Sequence, residues 1–455
     1  MSLSRARTLE EIATTCTPEP LRGEALKVFF VETAKARDEK SDLRKRLVSI
    51  FNKDNVPKRV LVYGHRGCGK STELSHFKGE VGGQWLIVDF SVQMYLPPVG
   101  LTAEDVLLAI SVAMVDQLDK AGAPTNGRHL KRIESFFDEI ARTETKSRDA
   151  KLDTEAGVGV GGSSLWKHVL DLKAKLSSEL SFGSRIEQSQ VHKIRQRPGD
   201  LIAAVNNLIN AVEEILTERG KHLLLIVEDL DKIQLAEAYD IFVQNNLLLS
   251  KLNANVIYTI PIFTFYTADA DVIRAHFDDD VHLQMIKVFN RDGSPASGYA
   301  KVKEIILKRV DKAMIDEDAI DLLVRGTGGV LRHVFEALQH VSSFSNIHDN
   351  HIRKQNIRDA LNKVRADLGI MIGWPRKEDG SQDKPDDLFK TLAEAAKKQA
   401  KGEVYPPRND PAVQVLLRSC ALIEYNGERW LGVHPLAWEY LQSLGYDVGK
   451  NPYGI

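Results

Sequence analysis

The chain has 455 residues, and its 61 Lys and Arg face 63 Asp and Glu, a net charge of −2. That balance excludes a protein that is basic over its whole surface, as a nucleic-acid coat would be, while leaving room for a local basic patch. Hydrophobic residues at 43% and charged residues at 27% exclude disordered, collagen-like and rod-like chains, and the length suits about three domains.

The cysteines, Cys16, Cys68 and Cys420, are too scattered for a disulfide framework or a zinc cluster. No apolar run approaches the ~18 residues of a membrane span, and the first residues carry no apolar leader. The expectation is a reduced, cytoplasmic protein without a membrane segment.

Along residues 20–51 apolar positions recur at helical spacing (Leu26, Phe29, Phe30, Ala34, Leu43, Leu47, Ile50), predicting two helices in an N-terminal extension over 1–56. After Pro57, residues 59–63 read as a buried strand, 64–69 as a glycine-rich break, and 70 onward as a helix with Leu74 and Phe77 inward. A second strand is predicted at 85–90. A helix follows from Thr102, with Asp105 three residues on in capping-box spacing. Residues 145–200 read as an insertion, whose stretch 165–176 fits a helix or a hairpin equally well. A helix over 201–216, a strongly apolar strand at 222–227, a helix over 235–252 and a strand at 256–262 continue the alternation. Such βα alternation predicts an α/β fold with a parallel sheet flanked by helices, here a core over 57–295. Short helices at 301–310, 316–324 and 330–341 define a helical lid over 296–349. The last module, 350–455, has helices near 351–370, 386–400 and 411–419. Two strands then flank Asn426-Gly427, a hairpin signal. Helices followed by a hairpin predict a winged-helix-like domain.

Residues 64–72, Gly-His-Arg-Gly-Cys-Gly-Lys-Ser-Thr, match G-x-x-x-x-G-K-[ST] between a predicted strand and a predicted helix. Gly64, Gly67 and Gly69 permit backbone angles that let amide groups close around phosphate oxygens, and the helix start adds partial positive charge. Gly64, His65, Arg66, Gly67, Cys68, Gly69, Lys70, Ser71 and Thr72 are therefore the candidate nucleotide-binding residues. Lys70 would meet the β- and γ-phosphates, Ser71 would ligate Mg²⁺, and Thr72 would be a secondary phosphate contact. The strand at 222–227 runs into Glu228, Asp229 and Asp231, acids at the carboxyl end of a parallel strand, where ligands bind. In the preferred register Glu228 faces the magnesium through water and Asp229 or Asp231 polarises the attacking water; in the other register Asp229 is the metal acid.

These motifs resemble the AAA+ and STAND superclass of P-loop ATPases, in particular prokaryotic members with a GHRGCGKSTEL-type loop and an acidic strand of the D-D-L-D-K type. The run 29–37 resembles the helix those proteins place before their first strand. The resemblance covers about residues 20–345 and departs from the pattern at Glu228, where Asp is usual. It implies ATP and Mg²⁺ as cofactors, Thr259 as a polar sensor, Arg332 as a second sensor in the lid, and Arg274 or Arg291 as candidates for an arginine finger. It also implies a slow ATPase acting as a regulatory switch of oligomerisation or of a separate effector protein, in prokaryotic signalling or phage defence. The alternative is an ATP-dependent DNA-binding protein of replication-initiator or transposition-regulator type, with DNA met through the C-terminal domain and the lysines 397, 398 and 401. No LSGGQ-like signature precedes the acidic strand and no N-K-x-D follows it, which disfavours ABC ATPases and GTPases.

Overall fold

The computed structural model describes residues 3–38, 42–53, 56–96, 99–120, 198–344, 349–373, 385–406, 409–425 and 430–454. Strands β1 (Arg59–Gly64), β2 (Trp85–Ser91), β3 (His222–Glu228), β4 (Asn255–Pro261) and β5 (Asp279–His282) form one parallel sheet in the order β2-β3-β4-β1-β5. Their apolar runs are continuous because both faces are covered. Val60, Val62, Leu224, Ile226 and Ile257 pack toward Leu74 and Phe77 of the helix Lys70–Val81 and toward Leu43, Leu47 and Phe51. Leu61, Tyr63, Leu225, Val227, Val256 and Tyr258 face the other way, into the core shared with the helices Ala103–Lys120 and Pro198–Thr217. The capping box forms as its spacing requires: Thr102 N–H donates to Asp105 Oδ2 at 3.0 Å and Asp105 N–H to Thr102 Oγ1 at 3.4 Å.

Helices Ser297–Arg309, Glu317–Thr327 and Leu331–Ser342 follow the sheet. Lys354–Gly373 lies so close to Glu317–Thr327 that a Cβ on Gly326 would stand 2.6 Å from Leu361 Cδ1. Helices Pro385–Ala400 and Pro411–Arg418 precede an antiparallel pair, β6 (Leu422–Tyr425) and β7 (Trp430–Val433). Cys16, Cys68 and Cys420 are free and buried. Among the described residues no helix is long and apolar enough to cross a membrane.

Several elements differ from the sequence expectation. Residues 20–51 hold three helices, Gly23–Phe29, Ala34–Arg37 and Leu43–Phe51, instead of two. The break falls at 30–33, where the β-branched Val31 and Thr33 disfavour a helix. An earlier helix, Leu9–Thr15, was not anticipated. The single helix expected over 235–252 is split into Leu235–Tyr239, a π turn Asp240–Gln244 and Asn246–Ser250. There Asn246 Nδ2 donates to Val243 O at 2.8 Å, a side-chain bond that competes with the helical ladder, and Asn245 Nδ2 donates to Asp240 Oδ1 at 2.9 Å across the turn. β5 has one apolar residue, Val281, and gives no periodic signal; it is an edge strand whose acids are paired, Asp279 to Arg46 and Asp280 to Arg274. The closing helix Pro435–Ser443 starts with proline at its first turn, and His434 Nδ1 accepts from Leu436 N–H at 3.1 Å. The expected Asn426-Gly427 turn, and all of the insertion except residues 198–200, lie outside the described residues.

Candidate functional site

The loop after β1 is shaped by glycines at positions where a side chain would collide or be strained. A Cβ on Gly64 would lie 2.3 Å from the Leu283 carbonyl oxygen. Gly67 has φ +75°, and a Cβ there would lie 2.5 Å from Arg332 Cβ. Gly69 is the left-handed N-cap (φ 102°) of Lys70–Val81. Turn and helix together thus present the first-turn amides as an anion cradle. Gly67→Ala combines backbone strain with a steric overlap, so it should lower stability by about 1–3 kcal/mol and weaken nucleotide binding by about tenfold. Thermal melts and ligand titration of the variant check this; wild-type values in both would refute the packing described.

Lys70 is buried with its head inside the loop. Its Nζ donates to Gly64 O (2.9 Å) and His65 O (3.0 Å) and pairs with Asp231 Oδ2 at 2.8 Å. Burial alone would lower the Lys70 pKa, but the Asp231 charge outweighs it and the ammonium form is favoured. Asp231 mirrors this: burial pushes its carboxyl up, and Lys70 opposite pulls it below the usual range.

Glu228 ends β3 and is 1% exposed. Burial first, then the charge of Asp89 on β2, pushes its carboxyl up to about 8, against the pull of the Ser71 hydroxyl and of Arg22. Glu228 Oε2 and Asp89 Oδ1 are buried and accept from no other residue, while the two carboxyl groups lie within hydrogen-bonding reach of each other, which also pushes Glu228 up. Asp229 leaves the strand at φ 71°, a conformation uncommon outside glycine that Asp tolerates better than most. Its Oδ2 accepts from Ser91 Oγ (2.6 Å) and its Oδ1 pairs with Lys232 (2.7 Å).

An open cleft joins Lys70, Asp229 and Asp231 to the helices after the sheet; Glu228 and Asp89 do not line it. Its apolar wall is Phe29, Phe30, Val31, Ile305, Leu331 and Phe335; Arg309 stacks 3.9 Å from the Phe335 ring centre. Arg66, Gly67, Gly69, Lys70, Ser71, Thr72, Asp229, Asp231 and Arg332 line it together, and Arg332 Nε and Arg66 Nε are buried without an acceptor.

Other expected site residues stand elsewhere. The His65 ring turns away from the cleft: it is fully buried and its Nε2 accepts from Glu424 N–H at 2.7 Å. Burial, then the charge of Lys70, holds its pKa down at about 3. The Cys68 side chain is buried, with its sulfur 3.1 Å from a Cβ built on Gly64, and its carbonyl accepts from Arg37 at 2.7 Å. Neither side chain lines the cleft: His65 is held by the β6 backbone and Cys68 packs against Gly64. Thr259 is buried in β4 with its hydroxyl 3.4 Å from the Val227 carbonyl, and does not line the cleft. Arg274 pairs with Asp280 at 3.4 Å, and Arg291 lies 5.6 Å from the Trp430 ring centre.

Three residues of the site had no role assigned from the sequence. Arg37 holds the loop by donating to Thr33 Oγ1, Gln284 O and Cys68 O. Arg22 pairs with Glu228 at 3.2 Å. Asp89 had a usable signal, an acid inside the otherwise apolar strand 85–90, since buried acids are rare without a partner or a role.

Two carboxylates with oxygens free of donors from other residues, a nearby serine hydroxyl and a helix-start cradle form a donor set that suits a hard divalent cation carried on a polyphosphate. Among the described residues no group of three or more His, Cys, Asp or Glu could hold a metal unaided. Such a site therefore calls for phosphate oxygens or water to complete the coordination.

A five-stranded parallel sheet, a glycine loop between β1 and its helix, and acids at the end of β3 define the P-loop NTPase fold. No family model matches the chain, and no curated protein matches it in sequence. Among solved structures it resembles a Walker-type ATPase of Pyrococcus abyssi, at 13% identity over 94% of this chain and 99% of that one, with a TM-score of 0.42. It also resembles the Orc1 protein of Aeropyrum pernix in complex with DNA, at 11% identity over 90% of this chain and 93% of that one, with a TM-score of 0.36. Both likenesses are distant, and the loop and strand order alone define the fold.

Proposed function

We propose that the chain is a magnesium-dependent ATP-binding and hydrolysing switch of the AAA+/STAND type. In this reading Lys70 and the loop amides hold the β- and γ-phosphates, Ser71 and Glu228 hold the magnesium side, and Asp229, with Asp231 behind Lys70, orients water. Arg332, which lines the cleft, is the γ-phosphate sensor, whereas Thr259, expected as the polar sensor, makes no direct contact in this reading. Magnesium, when bound, offsets phosphate charge.

The supporting observation is that one loop touches two things. Arg66, Gly67 and Lys70 face the cleft, while His65 is inserted between Pro411–Arg418 and β6, and Cys420 Sγ donates to the Arg66 carbonyl at 3.5 Å. A shift of the loop on meeting phosphate would be felt one residue away at the seam with the C-terminal module. The winged-helix-like module over 350–455 is then the arm that moves, the lid over 296–349 reads the γ-phosphate, and the output is self-assembly or engagement of a separate effector, in prokaryotic signalling or defence.

Calorimetric titration with ATP, with the protein's mass measured before and after, tests the reading. Silence on titration would end it. Glu228→Gln and Asp229→Asn should still bind ATP but turn it over at least about 100-fold more slowly, the scale of a lost acid–base group. Normal turnover in both variants would remove these residues from the chemistry. The DNA-binding reading has weaker support: of the lysines 397, 398 and 401, Lys397 pairs with Asp447 (3.1 Å) and Lys398 with Glu394 (3.9 Å), which lowers the charge of that patch. Salt-sensitive binding of random duplex that requires ATP would favour it nonetheless.

A further inference from the structure

Residues 18–22 run along the cleft. Pro18, Glu19, Pro20 and Leu21 line it, and Leu21 N–H donates to Thr72 Oγ1 at 3.1 Å, at the start of the phosphate-loop helix. The segment ends on Arg22, whose guanidinium lies 3.2 Å from Glu228 Oε1 and 3.7 Å from Asp89 Oδ2. The two carboxylates are nearly enclosed, at 2% and 13% side-chain exposure, whereas Arg22 is 53% exposed. Lys78 also pairs with Asp89. Even so, one buried oxygen on each acid, Glu228 Oε2 and Asp89 Oδ1, takes no donor from any other residue.

We propose that Arg22 and the divalent cation of a bound nucleotide are rival partners for the Glu228–Asp89 pair, so that residues 18–22 form a strap released when the metal–nucleotide complex binds. The proposal rests on the nucleotide-binding reading above. A guanidinium and a divalent cation cannot share the pair without strong repulsion. Arg22 is the exposed member, so its exchange for solvent costs little, while the buried acids gain from a cation that reaches the oxygens Arg22 leaves free. Two ligands that exclude each other weaken each other by the same factor. Metal binding therefore loosens the strap to the extent that the strap weakens the metal. Asp89 thereby becomes a second carboxylate on the metal side, beside Glu228.

The full-length chain is tested with a non-hydrolysable ATP analogue, with Mn²⁺ read by electron paramagnetic resonance. Arg22→Ala should bind Mn²⁺ with the analogue about tenfold more tightly than wild type, Arg22→Lys should fall between, and affinity for the analogue in EDTA should change less than about twofold. In the wild-type chain, tryptic cleavage of the Arg22–Gly23 bond, followed by mass spectrometry, should quicken with Mn²⁺ and analogue but not with analogue in EDTA. Equal shifts with and without metal, weaker Mn²⁺ binding in Arg22→Ala, or a cleavage rate indifferent to the metal would overturn the proposal. Failure of the analogue to bind in either buffer would instead defeat the nucleotide reading.

Discussion

Replacing Lys70 with alanine is expected to cost at least about 100-fold in ATP affinity by calorimetry. A charge-assisted contact contributes about 1.5–3 kcal/mol, and each ~1.4 kcal/mol is tenfold in affinity. Lys70 would make more than one such contact. The same change strips Asp231 of its partner at 9% exposure, and breaking a buried ion pair from one side costs about 3–5 kcal/mol. Loss of binding could therefore be confused with loss of fold, so the informative variant is Lys70→Ala/Asp231→Asn. Neutralising the abandoned acid should recover most of the melting temperature without restoring binding. The stability that Lys70→Ala loses relative to wild type should be smaller near pH 5 than at pH 7.5, because the Asp231 carboxyl, freed from Lys70 and still buried, is then pushed upward and can take a proton. A double variant that binds ATP like wild type would remove Lys70 from the site.

The second large effect is expected from acid. Three buried imidazoles held neutral lie where helix Pro411–Arg418, β6 and helix Pro435–Ser443, the expected C-terminal module, meet the phosphate loop and helix Leu331–Ser342. His65 is held at about 3, mainly by burial and then by Lys70; His333 is held at about 4 by burial and then Arg332. His434 is pushed well down by burial and by His333. Leu436 N–H donates to His434 Nδ1, which leaves its Nε2 to donate to His333 Nδ1 at 2.9 Å. All three values lie below the ~6.5 of a solvated imidazole. An undocked or unfolded module therefore binds protons that the docked one refuses, and stability rises with pH. Docking is complete above about pH 6.5 and weakens as pH falls toward 4, because each ring must stay neutral to remain docked while the released ring takes a proton. Hydrogen exchange of β6 and β7, together with fluorescence of Trp430 and Trp438, should report release between pH 6.5 and 5 before the sheet β1–β5 is lost. Exchange rates in the hairpin that, corrected for intrinsic chemistry, do not change from pH 7 to 5 would show that these rings are not what holds the seam.

How much of this was legible in the order of residues can be judged element by element. β1 and β3 were visible because a strand buried on both faces must be apolar at every position, and few other elements are. β5 was invisible because an edge strand with its acids paired looks like a loop. The glycine loop announced itself through spacing, since its chemistry is carried by backbone and the glycines record where a side chain would collide. The acids after β3 were recognisable as a group, but their division of labour was not. Only the three-dimensional arrangement sets Glu228 against Asp89 and Ser71, Asp229 against Ser91, and Asp231 against Lys70.

By itself, then, the sequence determined the local features: which stretches are helix or strand, which loop can cradle an anion, and the parallel βα order. The tertiary structure decided which side chains meet. Arg22 and Glu228 are 206 residues apart, and His65 and Glu424 are 359 apart. The physical reason is that periodicity records that a face is buried but not what buries it. A pairing between single charged or polar groups leaves no periodic trace, because its energy comes from a geometry that distant segments supply only once they have packed.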